Sequence, residues 1–283
     1  MSVRIIIDST TDLVESVKDK VITVPVTVRF GTTEYVDGVE ITTQEFYEKL
    51  IESNVLPTTS QATPDSFEQI FEEIKANGDT AVVITISSKL SGTFQSANIA
   101  AENYKDIVYI VDSSSVTIGA GILTEYALSL ADKGKSAEEI YDELIKVRNN
   151  IYIVALLDTL EYLKKGGRIS ATAAIAGSLL SIKPVINVVD GEINTLGKAR
   201  GSKQGNNLLV KEIESAGGVD FSKPVLLGYT GLNDTLLKKY IEDSAFLWKD
   251  YVGSLQTTII GCSIGTHAGP GAVAVAFFKN NKQ

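Results

Sequence analysis

Apolar positions in the first half of the chain fall into short unbroken runs separated by stretches with helical spacing. Ile5-Ile6-Ile7, Ala81-Val82-Val83-Ile84-Thr85-Ile86, Ile107-Val108-Tyr109-Ile110-Val111 and Ile151 to Leu157 are such runs. Continuous runs bounded by turns mark strands buried on both faces, as in a parallel sheet. Val21 to Phe30, rich in β-branched residues, predicts a further extended segment. Between these runs the period changes to that of a helix. Thr42-Thr43-Gln44-Glu45 reads as a capping box, followed by Phe46 with Leu50 and Tyr47 with Ile51 on one face. Thr63-Pro64 opens a second helix, whose stripe is Phe67, Ile70, Phe71 and Ile74. Helices follow over Gly119 to Ala131 and Ser136 to Arg148, the latter with Ser136 and Glu139 as a second capping box.

The second half is patterned differently. Pro184 to Val189, Asp190-Gly191 and Glu192 to Leu196 predict a hairpin closed by a type I′ turn. Strands follow at Val225 to Tyr229, Thr257 to Ile260 and Ala272 to Phe278, with helices at Ser202 to Glu214 and Asp234 to Phe246. The chain therefore reads as α/β, with an N-terminal, mostly parallel, Rossmann-like sheet covered by helices over residues 1–155. A C-terminal α/β domain with a mixed or antiparallel sheet follows over residues 156–283. Ala171 to Ile182, small and uncharged, reads as a helix that either packs closely or lines an apolar channel.

Composition narrows the chemistry. Hydrophobic residues are 44% of 283, enough for a core without disulfides or a structural metal. One cysteine, Cys262, and one histidine, His267, exclude an internal disulfide and the usual multi-Cys or multi-His zinc sites. A formal charge of -9 disfavours nucleic acid, which needs clustered Lys and Arg. The opening apolar run is too short for a signal peptide, and no stretch reaches the roughly 20 apolar residues of a membrane span. A cytoplasmic location is the expectation.

Several strands run into clusters of hydroxyl residues and glycine: Asp8-Ser9-Thr10-Thr11-Asp12, Ser87-Ser88-Lys89-Leu90-Ser91-Gly92-Thr93 and Asp112-Ser113-Ser114-Ser115. Ligands of open α/β sheets collect at the carboxyl ends of strands, where helix N-termini favour anions. The same clusters suit ordinary N-caps. Thr58-Thr59-Ser60-Gln61-Ala62-Thr63 carries more polar side chains than a cap requires. Gly265-Thr266-His267-Ala268-Gly269-Pro270-Gly271 places the histidine in a glycine-rich loop between two strands. Gly261-Cys262-Ser263-Ile264-Gly265 matches the G-x-S-x-G of serine hydrolases, but that motif needs a helix after the serine, and here a loop leading into a strand is expected. Arg168 beside Gly166-Gly167, and Arg200 beside Gly201, suit either solvated surface or recognition of a carboxylate or phosphate. Neither a G-x-x-x-x-G-K-[ST] loop nor a G-x-G-x-x-G after the first strand is present.

Taken in order, Asp8-Ser9-Thr10-Thr11-Asp12-Leu13, Thr59-Ser60-Gln61, Ser91-Gly92-Thr93 with Ser96-Ala97, Gly167-Arg168, Lys183-Pro184 and Gly265-Thr266-His267 with Gly269-Pro270-Gly271 resemble the DegV family. These are the fatty-acid-binding subunits that partner a bacterial fatty acid kinase. The resemblance spans residue 5 to about residue 278. It implies a long-chain fatty acid held between two α/β domains, with no other cofactor and no catalysis by the chain itself. Its carboxylate would rest on Thr59, Ser60, Ser91 and Thr93, with His267 nearby. A separate kinase would phosphorylate it to an acyl phosphate for phospholipid synthesis, with at most transient membrane contact. Arg168 and Arg200 match family arginines at the head group or the kinase encounter. Two other readings use the same features: a phosphate-ester or nucleotide-binding enzyme built on the anion loops, and a serine hydrolase built on Ser263.

Overall fold

The computed structural model describes residues 2–169, 182–249, 251 and 255–280. The helix of small residues expected at 171–182 lies outside the described residues, except for Ile182.

The first sheet contains β1 (Val3–Asp8), β2 (Val21–Val24), β6 (Thr80–Thr85) and β7 (Val108–Asp112), in the order β2-β1-β6-β7 and parallel throughout. Its unbroken apolar runs face both ways. Ile6, Ala81 and Val83 pack under α3 (Pro64–Ala76) and α4 (Thr93–Ala100), with Phe67, Phe71 and Ala97. Ile5, Ile7, Val82 and Ile84 turn to the other face, toward α5 (Thr117–Asp132) and α6 (Ala137–Val147). Both expected capping boxes form, and Thr63 caps α3 with Pro64 in its first turn.

A second sheet contains β8 (Ile151–Leu156), β9 (Ile182–Val189), β10 (Glu192–Arg200), β11 (Val225–Tyr229), β12 (Gln256–Ile259) and β13 (Val273–Phe278). Its order is β10-β9-β8-β13-β11-β12, and β11 with β12 is its parallel pair. The hairpin turn has φ of 51° at Asp190 and 79° at Gly191, as a type I′ turn requires. One face holds α8 (Gly201–Ser215) and α9 (Thr235–Asp243), with Leu209, Leu237, Tyr240 and Trp248 in its core. The opposite face joins the same apolar cluster as α5. Helix α5 is thus pressed between two sheets, which explains why it is apolar on nearly every side.

Three details differ from the sequence reading. Val21 to Phe30 is two strands, not one: Pro25 follows β2, and β3 (Thr27–Phe30) pairs with β4 (Thr33–Val36) and β5 (Thr58–Ser60) in a small antiparallel sheet. β8 belongs to the second sheet, so the change of sheet lies ahead of it and the division at 155 falls inside that strand. An apolar run buried on both faces carries no mark of whether its neighbours are parallel. Finally, the glycine-rich stretch before β13 is partly helical, forming α10 (Cys262–Ala268). Gly265 is there because Phe46 and Tyr47 of α2 (Thr43–Glu52) lie where a side chain would stand. Two short helices, α1 (Glu15–Lys18) and α7 (Glu161–Lys165), complete the α-helices of the described residues. No helix among the described residues is long and apolar enough to cross a membrane.

Candidate functional site

A cavity of about 400 Å³ lies between the second sheet and the loops at the carboxyl ends of the first. Its floor follows from strand periodicity. Ile153 and Ala155 of β8, Ile186 and Val188 of β9, and Ala274 of β13 share one face. Ala155 stands opposite both Ala274 and Ile186 in register, so small side chains leave the middle of the floor open. Ile86, Leu90 and Val116, from the loops after β6 and β7, form the opposite wall, and Ile260, Ile264 and Ala268 close a side.

The polar lining comes from the loops. Thr59 and Ser60 of β5, Gln61, Ser91, Gly92, Arg168 and His267 all line the cavity. Thr59 Oγ1 is 2.9 Å from His267 Nε2. Gln61 donates to Ser96 Oγ at 2.9 Å and lies across Gly92, where any larger residue would collide with it. Ser91 Oγ is 3.0 Å from Thr93 Oγ1, at the start of α4. Arg168 donates to the Leu90 carbonyl at 3.2 Å and to the Gly166 carbonyl at 2.6 Å. Gly166 in turn abuts the imidazole. Burial, and secondarily the Arg168 charge, push the pKa of His267 down to about 4, so the ring is neutral at pH 7. Its Nδ1 is buried without a partner among the described residues. The site therefore offers hydroxyls, a neutral imidazole and the positive end of α4 beside one guanidinium.

Of the residues expected from sequence, Thr59, Ser60, Ser91, His267 and Arg168 come together at the cavity. Thr93 does not line it: wholly buried, it supports Ser91 from behind. Arg200 is exposed at the end of β10, where its backbone N–H donates to Gln204 at 3.0 Å, and it is not part of the lining. The three hydroxyl clusters also separate. Ser91 and Thr10 line the cavity, whereas Ser113 is spent on its own turn, donating to the Ser115 carbonyl at 3.1 Å.

Sequence reasoning named the Thr10 cluster at the end of β1, and Ser263 only as a hydrolase nucleophile, and missed Thr117 in the lining and Asp37 among the buried carboxylates behind it. Asp8 accepts from Thr10 and, at 2.8 Å, from the Ile86 N–H. Asp12 accepts from Thr117 Oγ1 at 2.5 Å and the Gly261 N–H at 2.8 Å. Asp37 accepts from Ser9 Oγ at 3.1 Å and the Ser263 N–H at 3.3 Å. Burial raises all three acids, Asp12 to about 7. The carboxyl end of β1 signalled Asp8 and Asp12, but Asp37 and Ser263 are 226 positions apart and no local pattern joins them.

The hydrolase motif also needs correction. Ser263 does sit where a strand turns into a helix, contrary to expectation. Its prospective base, however, is committed elsewhere, because His267 bonds Thr59 rather than Ser263. Burial raises the neighbouring Cys262 thiol far above its ordinary value, so no thiolate substitutes.

Comparison with known proteins agrees with this geometry. The model of a family described as "Uncharacterised protein, DegV family" matches residues 2–280. A DegV domain-containing protein of Caldanaerobacter subterraneus subsp. tengcongensis is 34% identical over 280 residues, covering 97% of this chain and 98% of that protein. A structure described as fatty acid binding of a DegV family protein from Thermus thermophilus superposes with a TM-score of 0.84 at 30% identity, covering 98% of this chain and 100% of that one. DegV of Bacillus subtilis, described as a fatty acid binding protein, gives 0.81 at 28% identity over 99% of this chain and 100% of that one. With a family match along almost its whole length, and relatives this similar, the chain belongs to the DegV family.

Proposed function

We propose that the protein is a carrier for a long-chain fatty acid. The observation that carries this reading is one cavity whose walls are aliphatic over most of their extent and whose polar lining is hydroxyls and a neutral imidazole. Each methylene buried there contributes about 0.8 kcal/mol, so a long acyl chain gains enough to offset the cost of association without elaborate polar contacts. The carboxylate, which must replace its lost hydration, is held by Thr59, Ser60 and Ser91 with His267 adjacent, and Thr93 orients Ser91. The fatty acid binding described for the Thermus thermophilus and Bacillus subtilis proteins supports the same reading.

The bound acid is then presented to a separate fatty acid kinase, which forms the acyl phosphate, while this chain contributes no phosphoryl transfer of its own. Arg168, beside the cavity, meets the charge of the head group, and Arg200, exposed, belongs to the kinase-facing surface. The family resemblance supports this step.

Native mass spectrometry of the purified protein, followed by organic extraction, tests the carrier role. One fatty acid per chain is expected, and the Thr59→Ala, Ser91→Ala double variant should lose it while keeping its circular dichroism spectrum. A protein that is empty and also refuses added fatty acid would overturn the reading.

A further inference from the structure

Helix α10 carries His267 near its end, yet its beginning has no side-chain cap of its own, because the cap residue is Gly261. The free N–H groups of a helix start need acceptors. Two carboxylates from distant loops supply them. Asp12, after β1, takes the Gly261 N–H at 2.8 Å, and Asp37, after β4, takes the Ser263 N–H at 3.3 Å. Both acids are buried, at 8% and 6% exposure.

The placement of Asp37 matters most. It follows β4, while Thr59 lies on β5, and both strands flank β3 in the small sheet. That sheet therefore holds α10 at two points: Asp37 at its first turn, and Thr59 through His267 at its last. Seven residues at about 1.5 Å each make a lever of roughly 10 Å, so a loosened first turn displaces the imidazole at the other end. Tyr47 steadies the same junction by donating to the Ile260 carbonyl at 2.8 Å.

Carboxylates are a costly choice for this capping. Among the described residues, the titratable groups facing Asp12 and Asp37 are each other, Asp8, Tyr47 and Cys262, none of them a cation. Lys18 acts on Asp12 only through space and is paired with Glu15 at 2.7 Å. A serine or threonine caps an ordinary helix without burying charge.

We propose that Asp12 and Asp37 are positioning residues, anchoring the first turn of α10 so that His267 is presented to Thr59 at the polar end of the cavity. The role of that end as a head-group site rests on the carrier reading above; the anchoring does not.

The chain has a single histidine, so one set of imidazole signals reports the outcome. In ¹⁵N-correlated NMR of the lipid-free protein, His267 should titrate near 4 in the wild type. In Asp37→Ala it should move by more than one unit toward about 6.5, the value of a free imidazole. Asp37→Asn and Asp12→Asn, whose amide oxygen still accepts, should restore the wild-type titration. Affinity for cis-parinaric acid should fall tenfold or more in Asp37→Ala and less than threefold in Asp37→Asn. If circular dichroism shows Asp37→Ala to be unfolded, Asp37→Ser takes its place, because its hydroxyl is too short to reach the Ser263 N–H. Folded Asp37 and Asp12 variants lacking the acceptor, with His267 titrating as in the wild type, would overturn the proposal. A shifted titration with unchanged parinarate affinity would leave the anchoring standing and remove the head group from this end of the cavity.

Discussion

His267 is held neutral in a chain where protonation would place a cation in a buried, partly apolar wall beside Arg168. This has a consequence for stability. The folded chain titrates near 4, while an unfolded chain titrates near 6.5. Between those values the unfolded state binds more protons, so lowering the pH from about 6.5 to about 4 favours unfolding. The contribution is roughly 3 kcal/mol, present above the window and lost below it. His267→Gln removes this titration, so its stability relative to wild type should improve as pH falls from 7 to 4.5. Urea midpoints at several pH values measure this, and a pH-independent difference would count against a buried neutral histidine. Gly92 makes a second, steric prediction. A methyl group there meets the end of the Gln61 side chain, which is flexible enough to move but only by leaving Ser96. Gly92→Ala should therefore fold, lose about 1 kcal/mol with that hydrogen bond, and bind fatty acid more weakly. Unchanged affinity in an isothermal titration would show that Gln61 takes no part in the site.

Helix α10 and strand β8 mark where local pattern ends. The capping boxes of α2 and α6, the α3 stripe and the hairpin turn at Asp190-Gly191 were legible because their determinants lie within a few residues of one another. Gly265 has the sequence signature of a loop because the reason for its being glycine, the rings of Phe46 and Tyr47, lies on another helix. Thr10, Thr59, Ser91 and His267 were legible as polar residues beyond structural need, whereas Ser263 pointed to a different chemistry and Thr117 carried no local signal. Asp12 illustrates the same limit and can be tested. Its folded pKa is raised to about 7 by burial, against 3.8 for an unhindered carboxyl. Here the folded state binds more protons, so stability is fully present below about pH 4 and is lost as pH rises through 7. Asp12→Asn keeps an acceptor for the Gly261 N–H and turns an amide N–H toward Thr117 Oγ1, whose hydroxyl then accepts instead of donating, without the charge. It should gain on wild type by roughly 4 kcal/mol between pH 4 and pH 8. Thermal unfolding across that range is the check, and a variant that loses ground as pH rises would contradict it.

The two sheets, one parallel and one largely antiparallel, share a single apolar cluster through α5, and the cavity is an interruption in that cluster. A void of about 400 Å³ in a core costs stability unless something fills it, because the lining side chains forgo contacts on one side. The lipid-free protein is thus expected to be the less stable form. Its melting temperature should climb with the logarithm of fatty acid concentration once binding saturates. Ala274 lets these two effects be separated. It is buried at 2% exposure on the cavity floor, directly across from Ala155. Leucine at that position adds three carbons to the void, worth about 2 kcal/mol where they fit without strain. Ala274→Leu should therefore melt higher than wild type when both are lipid-free. It should also lose the rise in melting temperature that a long-chain acid gives the wild type, because the acyl tail now meets an occupied floor. A variant that is stabilised yet still takes up the same acid with wild-type affinity would place the tail elsewhere. A variant that is destabilised with no change in binding would show that the floor at Ala274 is already filled in solution. Stabilisation of the empty form together with loss of the lipid is the pairing that a core built around a fatty acid requires.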